Sequence, residues 1–184
     1  MRRLCTMNTT GTFMRYSHGS REFLLACCFV VLAAAQTSQP TAVAPELTIR
    51  GDIPSALILK ADDLAKMPRE TVSIPDSDGT KVSYEGVKLQ DILRRAGAPL
   101  GKELRGKALA GYVLAKAHDG YQVVFSLGEM DAAFGDASIV VADKRDGKPL
   151  FGYQGPFRVV CPNDKAGARS VRMLETLEIV RLQK

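Results

Sequence analysis

Two histidines and four cysteines are all that these 184 residues offer as soft or borderline metal ligands, and most of them fall before residue 36. Beyond that point only His118 and Cys161 remain. No H-x-x-x-H spacing and no Cys/His set exists among them, so a zinc site built from protein side chains alone is excluded. A lone thiol closes no internal disulfide, and a free exposed thiol is a liability outside the cytoplasm. Also absent are a Gly-rich phosphate loop of P-loop or dinucleotide type and a G-x-S-x-G elbow, which removes the common nucleotide-binding and serine-hydrolase classes. No internal repeat or low-complexity block interrupts the chain.

Apolar runs are short as well. The longest, "FLLACCFVVLAAA" over residues 23–35, falls short of the roughly 20 residues that a membrane-spanning helix needs. It has the length of a secretory h-region, follows Arg15 and Arg21, and closes on Ala33, Ala34 and Ala35, small residues that suit an A-x-A cleavage site. The expectation is a signal peptide over residues 1–35, a mature chain starting at Gln36, export to the periplasm or medium, and no membrane anchor once the leader is gone. A start at Met14 would leave a compact signal peptide and remove the Arg2-Arg3 pair, which sits far from the h-region and lacks the residues that usually follow a twin-arginine signal.

Charge follows the same division. Of 25 basic and 20 acidic residues, Arg2, Arg3, Arg15, Arg21 and Glu22 precede residue 36, which leaves 21 against 19. The high pI is therefore mostly a property of the leader, and nucleic acid is excluded as a partner. With 46% hydrophobic and 24% charged residues, the remainder has the composition of one globular domain.

Residues 36–46 read as a polar, Pro-containing lead-in and residues 47–184 as the domain. "LTIRG" and "SALILK" predict strands about a turn at 52–54, and "ADDLAKMP" a short helix ended by proline. "TVSIP" and "KVSYEG" predict a hairpin through "DSDGT". Leu89, Ile92, Leu93 and Ala96 stand at i, i+3, i+4 and i+7, one apolar face of a helix stopped by Gly97 and Pro99, with Arg94 and Arg95 on its solvated edge. "YVLAKA" and "YQVVF" predict a second hairpin through "HDG", "SLGEMDAAF" a short helix, and "ASIVVADK", "FRVVC" and "LETLEIVRL" three more strands. Strands and short helices mix without βαβ alternation, so the fold class is α+β, with mixed sheets and short helices. Cys161, between Val160 and Pro162, reads as a small buried hydrophobe. His118 belongs to a turn by its x-D-G-Y setting, although an imidazole there would suit acid-base work near neutral pH. Asp76 and Asp78 lack a third oxygen ligand in register for a metal loop.

The order "GVKLQDIL", "AHDGYQVVF", "VVADKRDGKPL", "GPFRVVCP", "GARSVRML" resembles the molybdopterin-binding domain of the sulfite oxidase superfamily, especially its small stand-alone exported members. The resemblance runs from Leu47 to the end of the chain and implies that family's fold. It also implies that Gly155, Arg158, Lys165, Gly167, Arg169, Ser170 and Arg172 wrap the anionic end of a pterin cofactor. Guanidinium and ammonium groups suit phosphate oxygens, and glycines allow close backbone approach. Gln154 stands where the family has histidine, and one residue is missing between Gly155 and Pro156.

Catalytic relatives hold molybdenum through one protein thiolate, placed just after the strand equivalent to "TVSIP". Residues 71–86 contain no cysteine, and neither Pro75 nor Ser77 replaces a soft ligand. The resemblance so amended implies a degenerate module for a small anionic or pterin-like ligand. Two alternatives stand beside it: an active molybdopterin-dependent oxidoreductase whose metal is held by the cofactor alone, and a structural domain that binds a protein partner.

Overall fold

In the computed structural model the described residues are 44–182 except 77 and 136. The expected signal peptide, most of the expected lead-in and the last two residues lie outside them.

Among the described residues, ten strands form two sheets. β1 (Glu46–Gly51), β2 (Leu57–Lys60), β5 (Tyr112–Ala117), β6 (Gln122–Ser126) and β10 (Leu174–Val180) make the first, in the order β2-β1-β10-β5-β6. β3 (Glu70–Pro75), β4 (Lys81–Lys88), β7 (Val140–Arg145) and β8 (Lys148–Pro149) make the second in that order, with β9 (Arg158–Val160) also paired to β7. Every pairing is antiparallel except that of β1 with β10, where Thr48 stands beside Thr176 and Ile49 beside Leu177. Two helices, α1 (Ala61–Ala65) and α2 (Leu89–Arg95), complete the α+β architecture.

Alternation explains the first sheet. Leu47 and Ile49, Val113 and Ala115, and Leu177 and Ile179 are buried on one face, where Leu89, Ile92 and Leu93 of α2 join them in the main core. Burial of one such side chain contributes about 2 kcal/mol, so this cluster is the largest source of stability. Gly97 ends α2 at a φ of +82°, which glycine adopts without a Cβ penalty, and Ala98 N–H donates to the Leu93 carbonyl at 2.9 Å. Arg94 lies on the exposed edge, paired with Asp91 at 3.4 Å.

The second sheet is covered on both faces. Val141 and Val159 face the main core, whereas Val72, Val82, Tyr84, Val140, Ala142 and Val160 form a smaller cluster behind it. That is why β7 and β9 read as unbroken apolar runs.

The helix expected over 126–134 is one turn of 3₁₀ helix at Gly128–Met130. Ser126 and Glu129 exchange hydrogen bonds in a capping box, at 2.8 and 3.0 Å. Buried Asp131 then stops the helix: its carboxylate accepts from the backbone N–H groups of Ala133 and Gly101, at 2.9 and 2.6 Å. These two bonds also hold its pKa below the ordinary value. Elsewhere the expected elements are present with boundaries moved by a few residues.

Candidate functional site

The last third of the chain brings together segments that the resemblance placed in one site. β9 runs beside residues 170–174: Val159 N–H donates to the Val171 carbonyl, and Leu174 N–H to the Phe157 carbonyl, each at 2.8 Å. Before β9 a 3₁₀ turn over Gly152–Gln154 brings Gly155 back against Leu150. A Cβ on Gly155 would stand 2.6 Å from the Leu150 carbonyl oxygen. Close backbone approach thus does require glycine there, but the neighbour is the protein's own chain. Gly167 is different, because a Cβ would meet nothing within 4 Å.

The basic residues diverge. Arg158 shares its strand face with Val160 and enters the smaller cluster, where it is 7% exposed. Its Nη1 donates to the Tyr84 hydroxyl at 2.7 Å and to Gln154 Oε1 at 2.5 Å, its Nε–H has no partner, and its guanidinium lies 4.8 Å from the Tyr84 ring centroid. Burial, aided by repulsion from Arg172 and Arg145, pulls its pKa below the usual arginine value.

Arg169 turns the other way. It donates to Asp164 through Nε at 2.8 Å and Nη2 at 3.3 Å, and to Glu129 through Nη1 at 3.1 Å. Its guanidinium also lies 5.1 Å from the Phe125 ring centroid. The Asp164 and Glu129 carboxylates raise its pKa despite partial burial. Two internal carboxylates therefore already occupy the donors that the resemblance reserved for a cofactor.

Arg172 is exposed, with its guanidinium 5.4 Å from the Tyr153 ring centroid. With Gly167 and Ser170 it borders a cleft of about 220 Å³, closed by Asp119, Tyr121 and Ala168. Tyr121 donates to the Ala168 carbonyl at 2.7 Å. The Ser170 hydroxyl faces inward and accepts from Cys161 N–H at 3.3 Å. Lys165 is exposed and lines neither this cleft nor those beside Gly155 and Gln154. Gly155 belongs to a separate cleft of about 280 Å³ with His118, Met173 and Glu175. His118 lies in the expected turn, its Nδ1 2.5 Å from Glu175 Oε1.

A third cleft, of about 360 Å³, opens beside Gln154, between Arg145, Lys148, Phe151 and Tyr153. Of the side chains around it, Gln154 marks the family's histidine position and Arg145 to Leu150 lie in the "VVADKRDGKPL" stretch, but the two aromatics went unmarked. Phe151 and Tyr153 are exposed aromatics in an irregular loop with no periodicity to mark them. Tyr84 becomes a partner of Arg158 only across 74 positions of sequence.

Cys161 is buried, and its Sγ donates toward the Arg169 carbonyl at 3.7 Å. Burial, reinforced by the Asp164 carboxylate, pushes its thiol up to about 12. A thiol so held is not a ligand for a soft metal. In the turn after β3, Asp78 accepts from Thr80, and Asp76 pairs with Arg145 at 2.6 Å. Among the described residues no three His, Cys, Asp or Glu side chains come together to hold a metal ion. The donors present do not fit a molybdenum cofactor held by a protein ligand.

Two sheets in this order, with the β9 loop laid beside the 167–174 segment, form the scaffold of a molybdopterin-binding domain. The chain belongs to the family described as "Oxidoreductase molybdopterin binding domain", which matches residues 36–184. It is also similar to the sulfane dehydrogenase SoxCD from Paracoccus pantotrophus, with 19% identity and a TM-score of 0.57 over 73% of this chain and 38% of that one. At this identity the likeness shows the fold alone, and the chain spans well under half of that protein. No curated relative matches the chain.

Proposed function

We propose that this chain is an exported, non-catalytic member of its family, a module that has kept the scaffold for binding a small anionic or pterin-like ligand and lost the metal chemistry. The observation that carries this reading is the place of Cys161, the only cysteine among the described residues, which is buried with its Sγ turned to the Arg169 carbonyl rather than offered to a metal. Arg158 and Arg169 support it, since each is turned to partners within the protein. Export rests on the leader read in residues 1–35, and molybdopterin remains a ligand by family only.

Metal and pterin analysis of the protein isolated from the periplasm of a cofactor-producing host tests the reading. The expected result is neither component above background, with an N-terminus at Gln36. Molybdenum and pterin near one per chain would overturn it in favour of an oxidoreductase whose metal is held by the cofactor alone. Retention of the protein in the cytoplasm would overturn the export part.

A further inference from the structure

We propose that this chain pairs with a second copy of itself edge to edge through β6, so that the first sheet continues across a two-fold axis at Val123. The inference goes beyond the module reading and stands apart from it, because it rests on a sheet edge and not on a ligand cleft.

β6 is the outer strand of its sheet, with β5 on one side and no described strand on the other. Its register shows which backbone groups face outward. β5 and β6 pair without a shift, from Tyr112 beside Ser126 to Lys116 beside Gln122. Just beyond these ends Leu127 N–H donates to the Gly111 carbonyl at 3.0 Å, and Ala117 N–H to the Tyr121 carbonyl at 2.9 Å. Bonded and non-bonded pairs alternate along an antiparallel ladder, so Val123 and Phe125 are the β6 residues bonded to β5. Gln122, Val124 and Ser126 therefore turn N–H and C=O away from it. The Ser126 N–H is already taken by the Glu129 carboxylate at 2.8 Å, which leaves Gln122 and Val124 with one donor and one acceptor each.

These two residues complement themselves. In antiparallel pairing about Val123, Gln122 of one copy stands opposite Val124 of the other, and each such pair exchanges two hydrogen bonds. Four bonds result, and they use every outward group of both residues while the capped Ser126 lies outside the pairing. The contact is isologous and closes at two copies. On the outer face Val124, 51% exposed, stands beside Leu114, and the two-fold axis brings Val124 of the other copy into the same patch.

Charge favours a second copy as the occupant. Gln122–Ser126 reads QVVFS, without the charge, proline or bulge that keeps edges from pairing. The other outer strands are protected. β2 ends in Lys60 and passes directly into α1, β3 carries Glu70 and ends in Pro75, and β8 has only two residues. A two-fold axis sets each charge on a strand against its own kind, so an uncharged strand suits self-pairing. A basic or acidic peptide would find no charge within this strand to select it. Main-chain bonds supply the attraction, as in other cases of strand addition, and the contact belongs to the small, transient class below about 1,200 Å².

The test is sedimentation velocity of protein expressed from the full-length chain, from about 1 μM to about 1 mM, with amide hydrogen exchange at both ends of that range. A monomer–dimer equilibrium is expected within it. The Gln122 and Val124 amides should exchange about tenfold more slowly at the high end, whereas the Ser126 amide, already held by Glu129, should not change. Val124→Lys should raise the dimer dissociation constant about tenfold or more. Ile58→Lys, on the opposite edge of the sheet and also exposed, should leave it unchanged, and urea midpoints show whether both variants fold. A monomer throughout the range, a dimer indifferent to Val124→Lys, or one weakened equally by Ile58→Lys would overturn the inference. Slow exchange of Gln122 and Val124 in a monomer would also overturn it, by placing some other strand on this edge. If Val124→Lys does not fold, the concentration dependence of the two amides decides the matter.

Discussion

Arg158 on β9 donates a 2.7 Å hydrogen bond to the hydroxyl of Tyr84 on β4, a strand 74 residues earlier. The bond ties a buried guanidinium to a neutral acceptor inside the smaller apolar cluster, and the first prediction concerns its worth. Tyr84→Phe removes the acceptor and should destabilise the fold by about 1–3 kcal/mol. In that background Arg158→Met, which removes the stranded charge as well, should recover most of the loss. Urea midpoints of the two single variants and the double variant measure the coupling; a wild-type midpoint in Tyr84→Phe would show that the bond adds nothing.

Glycines 155 and 167 separate packing from openness. Gly155→Ala forces a Cβ to within 2.6 Å of the Leu150 backbone and should cost about 1–3 kcal/mol or prevent folding altogether. Gly167→Ala meets open space and should stay within about 0.5 kcal/mol of the parent. Thermal melts of the pair decide the matter, and equal melting temperatures would contradict the close contact at Leu150.

Cys161 should shape the alkaline limb of stability. Its thiol pKa rises from an ordinary 9.0 to about 12 in the fold, so the unfolded chain releases the proton first. The stabilisation is complete below pH 9.0 and is lost as pH climbs toward 12. Cys161→Ala should therefore show a shallower decline over that window, although it starts about 1 kcal/mol lower because of the small cavity. Identical alkaline slopes for the two proteins would mean that the thiol is solvated. The same burial predicts that a disulfide reagent labels Cys161 only after denaturation.

The acid limb has a different owner. Glu85 accepts from Lys144 at 3.2 Å and from Arg69 at 3.0 Å, and these two cations hold its pKa below the ordinary 4.5. Its contribution is present above that value and disappears as pH falls through the lower folded pKa. Glu85→Gln should lower stability at neutral pH and have little effect at the acid end, which pH-dependent urea unfolding will show. An equal effect at both ends would remove the charge from the account.

Arg169 cross-links Asp164 and Glu129 from partly exposed positions. Arg169→Gln should destabilise by about 1 kcal/mol, a modest figure because solvent screens such pairs. Arg169→Lys should restore only part of it, since one ammonium cannot reproduce the forked geometry. Full recovery with lysine would show that charge alone matters.

Local pattern carried much of the fold. Leu89, Ile92, Leu93 and Ala96 announce α2 because a 3.6-residue period allows only one buried face, and Gly97 ends it because its φ is positive. Val140 and Val159 announce buried strands, though not that β7 would be covered on both faces. The capping box at Ser126 and Glu129 is a true helix signal, yet Asp131 spends its carboxylate on Gly101, 30 residues away, and the helix stops. Pairing of β1 with β10 is likewise invisible to any local window, because Thr48 and Thr176 meet only after the chain between them has folded.

By itself the sequence determined the α+β class, the family and the absence of any other cysteine from residues 36–184, since each depends on residue identity and order along the chain. Tertiary structure decided which way the charges point. Arg158, Arg169 and Arg172 lie within 15 positions of one another, yet one enters an apolar cluster, one is held by two carboxylates, and one rests on Tyr153 at the surface. Side-chain direction depends on the strand face and on partners far away in sequence, which is why a row of basic residues does not by itself make a binding site.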